Sequence, residues 1–161
     1  EIQNIKGEPI QEAFETTIDL NVNAYIPEFY IKNQQQRMQL YKKIAAVSNQ
    51  EEYYNIQEEL EDRYGDLPKS VQTLLEIVLL KAQAHNMGVL SITQKGQSVV
   101  LQLKETAKIN PEHLTDFITK GKGKYFFTAG ACPYITMKLK KEEKTAAVID
   151  NIKILLQSLK S

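Results

Sequence analysis

The chain has one cysteine and two histidines, no net charge, and no long apolar run. A lone Cys132 excludes an internal disulfide framework, fits a reducing and hence cytoplasmic setting, and leaves no set of clustered thiolates for zinc. His85 and His113 are far apart and outside any metal-ligand spacing, so no metal site is expected. Zero formal charge removes a global field toward nucleic acid or membrane. The longest apolar stretch, Leu74 to Leu80, is broken by Glu76 and falls far short of a membrane-spanning helix. The first residue is Glu1, with no leader pattern after it. An excised segment of a longer protein is therefore expected.

The 161 residues, 42% hydrophobic and 25% charged, suit one soluble domain with a sizeable core. The neutral average hides an asymmetry. From Glu51 to Asp62 there are six acids and no base; from Lys120 to Lys144 there are seven lysines and two acids.

Hydrophobic period gives the architecture. Residues 1–15, with Gly7 and Pro9, read as a lead-in. Thr16 to Ala24 alternates, with Ile18, Leu20, Val22 and Ala24 on one side, as a half-buried strand does. Pro27 ends it, in a turn bracketed by Tyr25 and Tyr30. A helix over Gln34–Val47 carries Leu40, Tyr41, Ile44 and Val47 on one stripe. Ser48 with Glu51 predicts the capping box of a second helix, striped by Tyr53, Ile56, Leu60 and Tyr64 and stopped by Gly65 in a left-handed conformation. Pro68 is expected in the first turn of a third helix, which ends near Gly88.

Beyond Gly88 the period becomes two. Leu90 and Ile92 face Val99, Leu101 and Leu103 across a turn at Gln94–Gln97. Asn110-Pro111 opens a short helix with Leu114, Phe117 and Ile118. A second strand pair, Tyr125–Thr128 with Tyr134–Leu139, precedes a last helix from about Glu142 to Leu159. The fold class is α+β: a helical N-terminal half, then a small, mostly antiparallel sheet with flanking helices.

Residues for catalysis are sparse. Gly121-Lys122-Gly123-Lys124 lacks the spacing and terminal hydroxyl of a phosphate-binding loop and reads as a turn. Cys132 has no visible basic partner to activate it. His85 continues an apolar stripe and is expected to be partly buried; His113 is expected at the surface. Tyr41, Tyr53 and Tyr64 are expected to pack in the core. Glu58, Glu59, Glu61 and Asp62 crowd the C-terminal end of a helix, against its dipole, at about 0.3–1 kcal/mol each. Pattern alone favours a solvated face; an anionic surface for arginines on a partner is the functional alternative.

The order Ala24-Tyr25-Ile26-Pro27, Tyr30-Ile31, Gln36-Arg37 with Leu40-Tyr41, then Glu59-Leu60-Glu61-Asp62-Arg63-Tyr64-Gly65-Asp66-Leu67-Pro68 resembles the C-terminal domain of the bacterial transcription-repair coupling factor (Mfd) family. Asp19 to Gly88 carries the close match, and the rest agrees in order of elements. Tyr64 stands where the family usually has phenylalanine. The resemblance implies a regulatory domain, 16–161, preceded by a lead-in, 1–15, from a motor module. The parent would be an ATP- and Mg-dependent DNA translocase that removes stalled RNA polymerase and recruits repair through UvrA; this domain itself would need no cofactor. It would dock on the UvrB-like N-terminal module of the same protein, masking the UvrA surface and restraining the motor. Glu59 and Asp62 are the implied docking acids. Tyr25, Pro27, Tyr30, Arg37, Arg63, Tyr64, Gly65 and Pro68 are the implied framework. Rival readings are a weak nucleic-acid-binding module built on the lysine-rich second half, a small enzyme, and a cap that serves stability alone.

Overall fold

A computed structural model describes residues 14–107, 109–141 and 143–159. The expected lead-in at 1–15 lies almost wholly outside the described residues. Strand β1 (Thr17–Asp19) is followed by α1 (Gln34–Ala45), α2 (Gln50–Tyr64) and α3 (Lys69–Met87). Then come β2 (Val89–Lys95), β3 (Ser98–Leu103), α4 (Pro111–Lys120), β4 (Tyr125–Thr128), β5 (Tyr134–Lys138) and α5 (Thr145–Leu159). The sheet order is β1-β2-β3-β5-β4, with β1 parallel to β2 and every other pair antiparallel. The α+β class is as the periodicity indicates.

Two apolar cores form. One gathers Ile26, Ile31, Leu40, Ile44, Ile56 and Leu60 of the helical half. The other gathers the inner face of the sheet, including Ile92, Leu101 and Ile135, against α4 and α5. Helix α3 belongs to both: Val71, Leu75 and Leu79 enter the first, while Leu80, Ala84 and Met87 enter the second. Its apolar residues wrap more than one side of the helix, as burial on two faces requires.

A polar bridge crosses the same junction. The Tyr53 hydroxyl of α2 donates to Glu76 Oε1 of α3 at 2.9 Å, and Lys153 of α5 pairs with Glu76 Oε2. Burial and the Glu76 carboxylate raise the Tyr53 pKa. One carboxylate thus ties three helices.

Several expectations shift by a residue or a side. The first strand is only three residues long, because from Leu20 onward the chain leaves β2. Asn49, not Ser48, caps α2 and accepts from Glu52 N at 2.8 Å. Glu52, not Glu51, reaches back, accepting from both the backbone N–H and the hydroxyl of Ser48. Pro68 is the cap residue of α3 rather than part of its first turn, and its carbonyl accepts from Val71 and Gln72. A bulge between Val89 and Ser91 turns Val89 inward, so Val89 and Ile92 are buried while Leu90 is half-exposed. Tyr41 lies at the surface, 37% exposed, with its hydroxyl accepting from Ile26 N at 2.7 Å. His85 is exposed, not partly buried, and stacks on Phe14 with centroids 4.4 Å apart. Helix α5 begins at Thr145; the expected start at Glu142 lies outside the described residues.

Gly88 ends α3 at φ +86°, ψ +24°, and a Cβ there would meet Ala107 Cα at 3.0 Å. Gly88→Ala therefore combines a left-handed backbone with a backbone collision. It should cost about 2 kcal/mol or more, lowering Tm by roughly 4–8 °C, read by thermal denaturation followed in the far ultraviolet.

Candidate functional site

The acidic end of α2 is built on a chain of local fastenings. Pro27 starts a turn whose carbonyl accepts from Tyr30 N at 3.1 Å and Ile31 N at 3.2 Å. Arg37 closes that turn from α1: its Nη1 donates to the carbonyls of Ile31 at 2.7 Å and Lys32 at 3.0 Å, with Glu28 3.8 Å from Nη2. Tyr25 is half-exposed, its N–H directed to the Ser70 carbonyl at 3.3 Å. The Tyr30 hydroxyl then spans to α2, donating to the carbonyls of Gly65 at 2.8 Å and Leu60 at 3.2 Å. Carbonyls at a helix C-terminus lack intrahelical donors, and Tyr30 supplies one. Burial, and after it Glu61 and Asp66, raises its pKa. Gly65 ends the helix at φ +90°, ψ −166°, a positive φ with extended ψ rather than the expected left-handed helical conformation. Its N–H still reaches Glu61 O at 2.9 Å.

The structure separates the two implied docking acids by role. Glu59 is half-buried and already paired: Lys43 Nζ of α1 donates to its two oxygens at 2.7 and 2.9 Å, and Arg63 Nη1 donates at 3.3 Å. The Lys43 hydrogen bond is the largest reason its carboxyl is held below the usual glutamate range. Asp62 is exposed and makes no hydrogen bond or ion pair among the described residues. Glu58 and Glu61 are exposed beside it. Lys43 is the residue that sequence reasoning missed; sixteen positions from Glu59, it left no local signal. A small cleft of about 100 Å³ between α1 and α2 is lined by Gln36, Gln39, Lys43, Glu59, Arg63 and Tyr64.

Arg63 lies over the Tyr64 ring, 5.1 Å from its centroid, and Tyr64 tilts against Tyr30 with centroids 5.8 Å apart. The Tyr64 hydroxyl is buried without a hydrogen-bond partner among the described residues. The site uses the ring and leaves the hydroxyl idle. The rest of the chemistry-bearing residues stay apart: Cys132 is exposed in the β4–β5 loop, and His113 lies exposed in the first turn of α4. Among the described residues, no three His, Cys, Asp or Glu side chains converge as a metal ion would need. No described helix is long and apolar enough to cross a membrane.

These features define a class: an α+β module presenting a braced acidic helix end on one flank. Residues 20–114 match the family described as the TRCF domain, which is more than half of the chain, and the chain belongs to that family. It is 39% identical over 105 residues to a transcription-repair-coupling factor of Staphylococcus haemolyticus, covering 64% of this chain and 9% of that protein. Against the transcription-repair-coupling factor of Staphylococcus aureus (strain USA300) the identity is 38% over 109 residues, covering 66% and 9%. The chain thus spans about a tenth of the length of these relatives. The fold is shared with a crystal structure of the C-terminal domain of transcription-repair coupling factor, at TM-score 0.81 and 24% identity, over 90% of this chain and 91% of that one.

Two pairs of variants test this geometry. Tyr30→Phe removes the donor to two carbonyls and should cost roughly 0.5–1.5 kcal/mol, whereas Tyr64→Phe removes an unpaired hydroxyl and should be neutral or slightly stabilising. Equilibrium urea unfolding separates them. Lys43→Gln should cost at most about 1 kcal/mol at neutral pH, as exposed pairs do. Because the folded Glu59 pKa is depressed, that contribution is present above the usual glutamate range and fades as pH falls through the folded value. The stability gap to wild type should therefore close in acid, measured by Tm against pH.

Proposed function

We propose that this domain is a regulatory brake within a DNA translocase that couples stalled transcription to nucleotide-excision repair. The brake docks on the UvrB-like module of the same protein, which masks the surface for UvrA and restrains the ATP-driven motor until RNA polymerase is engaged on DNA. Membership of the TRCF family supports the parent activity. The observation that carries the docking reading is the unpaired Asp62 on a helix end fastened at Tyr30 and Lys43.

The two acids would then act differently. Asp62 meets a partner arginine directly, and Glu59, held by Lys43 and Arg63, completes a fixed charge pattern beside it. An arginine fork gains most from carboxylates whose positions are set beforehand. Helix α2 supplies that order without a partner, since its C-terminal turn is fastened from two sides. Screening by salt should weaken such a contact if it lies at an interface rim.

In the full-length protein, Asp62→Arg should raise basal ATPase and UvrA binding severalfold without lowering Tm, since the residue has no partner among the described residues and a cation suits a helix C-terminus. Glu59→Arg should release the brake as well and also lower Tm, because it breaks the Lys43 pair. Basal ATPase and UvrA affinity unchanged in Asp62→Arg would sink the reading.

A further inference from the structure

The geometry points to a second surface on the opposite half: the open face of the sheet is a weak binding platform for single-stranded nucleic acid. Strand alternation divides the sheet. Ile92, Leu101, Ile135 and Met137 point into the core, and their neighbours form the other face, which none of the described helices covers. That uncovered face carries two aromatic rings, Phe126 at 45% and Tyr134 at 37% exposure. Phe126 pairs with Thr136, and Tyr134 lies two residues along the same strand on the same face. The rings are therefore diagonal neighbours, with backbone positions about 7–8 Å apart.

Positive charge surrounds one end of this face. Lys138 ends β5 with its ammonium over the Phe126 ring, 5.3 Å from its centroid, whereas Lys124, just before β4, turns its ammonium to the Tyr125 ring on the core side. Lys95 joins Lys138 across the sheet: it pairs with Ser98, which pairs with Lys138. The acid on this face within the strands is Asp19 of β1, at the far edge. The six-acid run that balances the net charge lies on α2, in the other half of the fold. A chain that is neutral overall thus has a locally basic sheet face.

This combination selects its partner by chemistry. Lysines arranged at one end attract phosphates, and two exposed ring faces offer stacking to unpaired bases. A duplex keeps its bases stacked on one another and cannot use the rings. An acidic peptide uses the lysines but leaves both rings uncovered. Lys138 serves both functions, since it neutralises a phosphate beside the ring that takes the adjoining base.

The test is fluorescence anisotropy of the 161-residue chain with a labelled 15-nucleotide oligothymidylate, alongside a duplex of the same length and poly-glutamate. Binding to the single strand is expected in 50 mM salt. With about two phosphates neutralised it should weaken by roughly sevenfold at 200 mM salt. Phe126→Ala should weaken it by at least about fivefold with the salt slope unchanged. Phe126→Leu, which keeps apolar bulk without a stacking face, should behave like alanine. Lys138→Gln should instead lower the slope. No binding to the single strand, equal affinity for duplex or poly-glutamate, or full affinity in both Phe126 variants would overturn the proposal. Far-ultraviolet circular dichroism of each variant distinguishes lost contacts from lost folding.

Discussion

Helix α3 is the element on which the rest of the structure depends. Neither core is large, and each borrows one stretch of this helix to complete itself. Its first half closes the helical core through Val71 and Leu75, and its second closes the sheet core through Leu80 and Ala84. A single nineteen-residue helix thereby sets the relative position of an acidic helix end and a basic sheet face. Charge separation across the molecule follows from that beam rather than from any contact between the charged groups themselves.

The acidic end of α2 shows how a surface charge acquires a fixed position. Carboxylates near a helix C-terminus oppose the dipole, and a free run of them would move independently. Here the carbonyl end of the helix is fastened by Tyr30, and Glu59 is fastened by Lys43. Arg37 in turn secures the segment that carries Tyr30. What reads in the sequence as separate motif residues is one mechanical unit, running from Pro27 to Gly65.

Much of the fold was legible because local chemistry specifies it. Asn110-Pro111 opens α4, the Gly96-Gln97 turn joins β2 to β3, and Gly88 stops α3, each where turn and cap preferences place it. The errors came where neighbours of similar chemistry compete or where distant segments decide. Ser48 and Asn49 are both good caps, as Glu51 and Glu52 are both good partners, and local preference does not choose between the two. The bulge at Val89 and the exposure of Tyr41 depend on strands and turns far away. At the candidate site, the spacing of Glu59 and Asp62 on one helix was visible, but the Lys43 pairing that distinguishes them comes from tertiary structure. The family match shows what the domain belongs to; it does not carry that distinction.

The carboxylate of Glu76 has a consequence for how the molecule opens. Tyr53, Glu76 and Lys153 sit on three helices that belong between them to both cores. Separating the halves would strip a buried tyrosine and a lysine of the same acceptor at once, while also cutting α3 in the middle. Partial unfolding of one half alone is thus penalised, and amide exchange is expected to show one cooperative unit, with α3 protected along its length rather than in two steps. Displacement of the acidic flank by a partner would then move the whole body and carry the basic face with it.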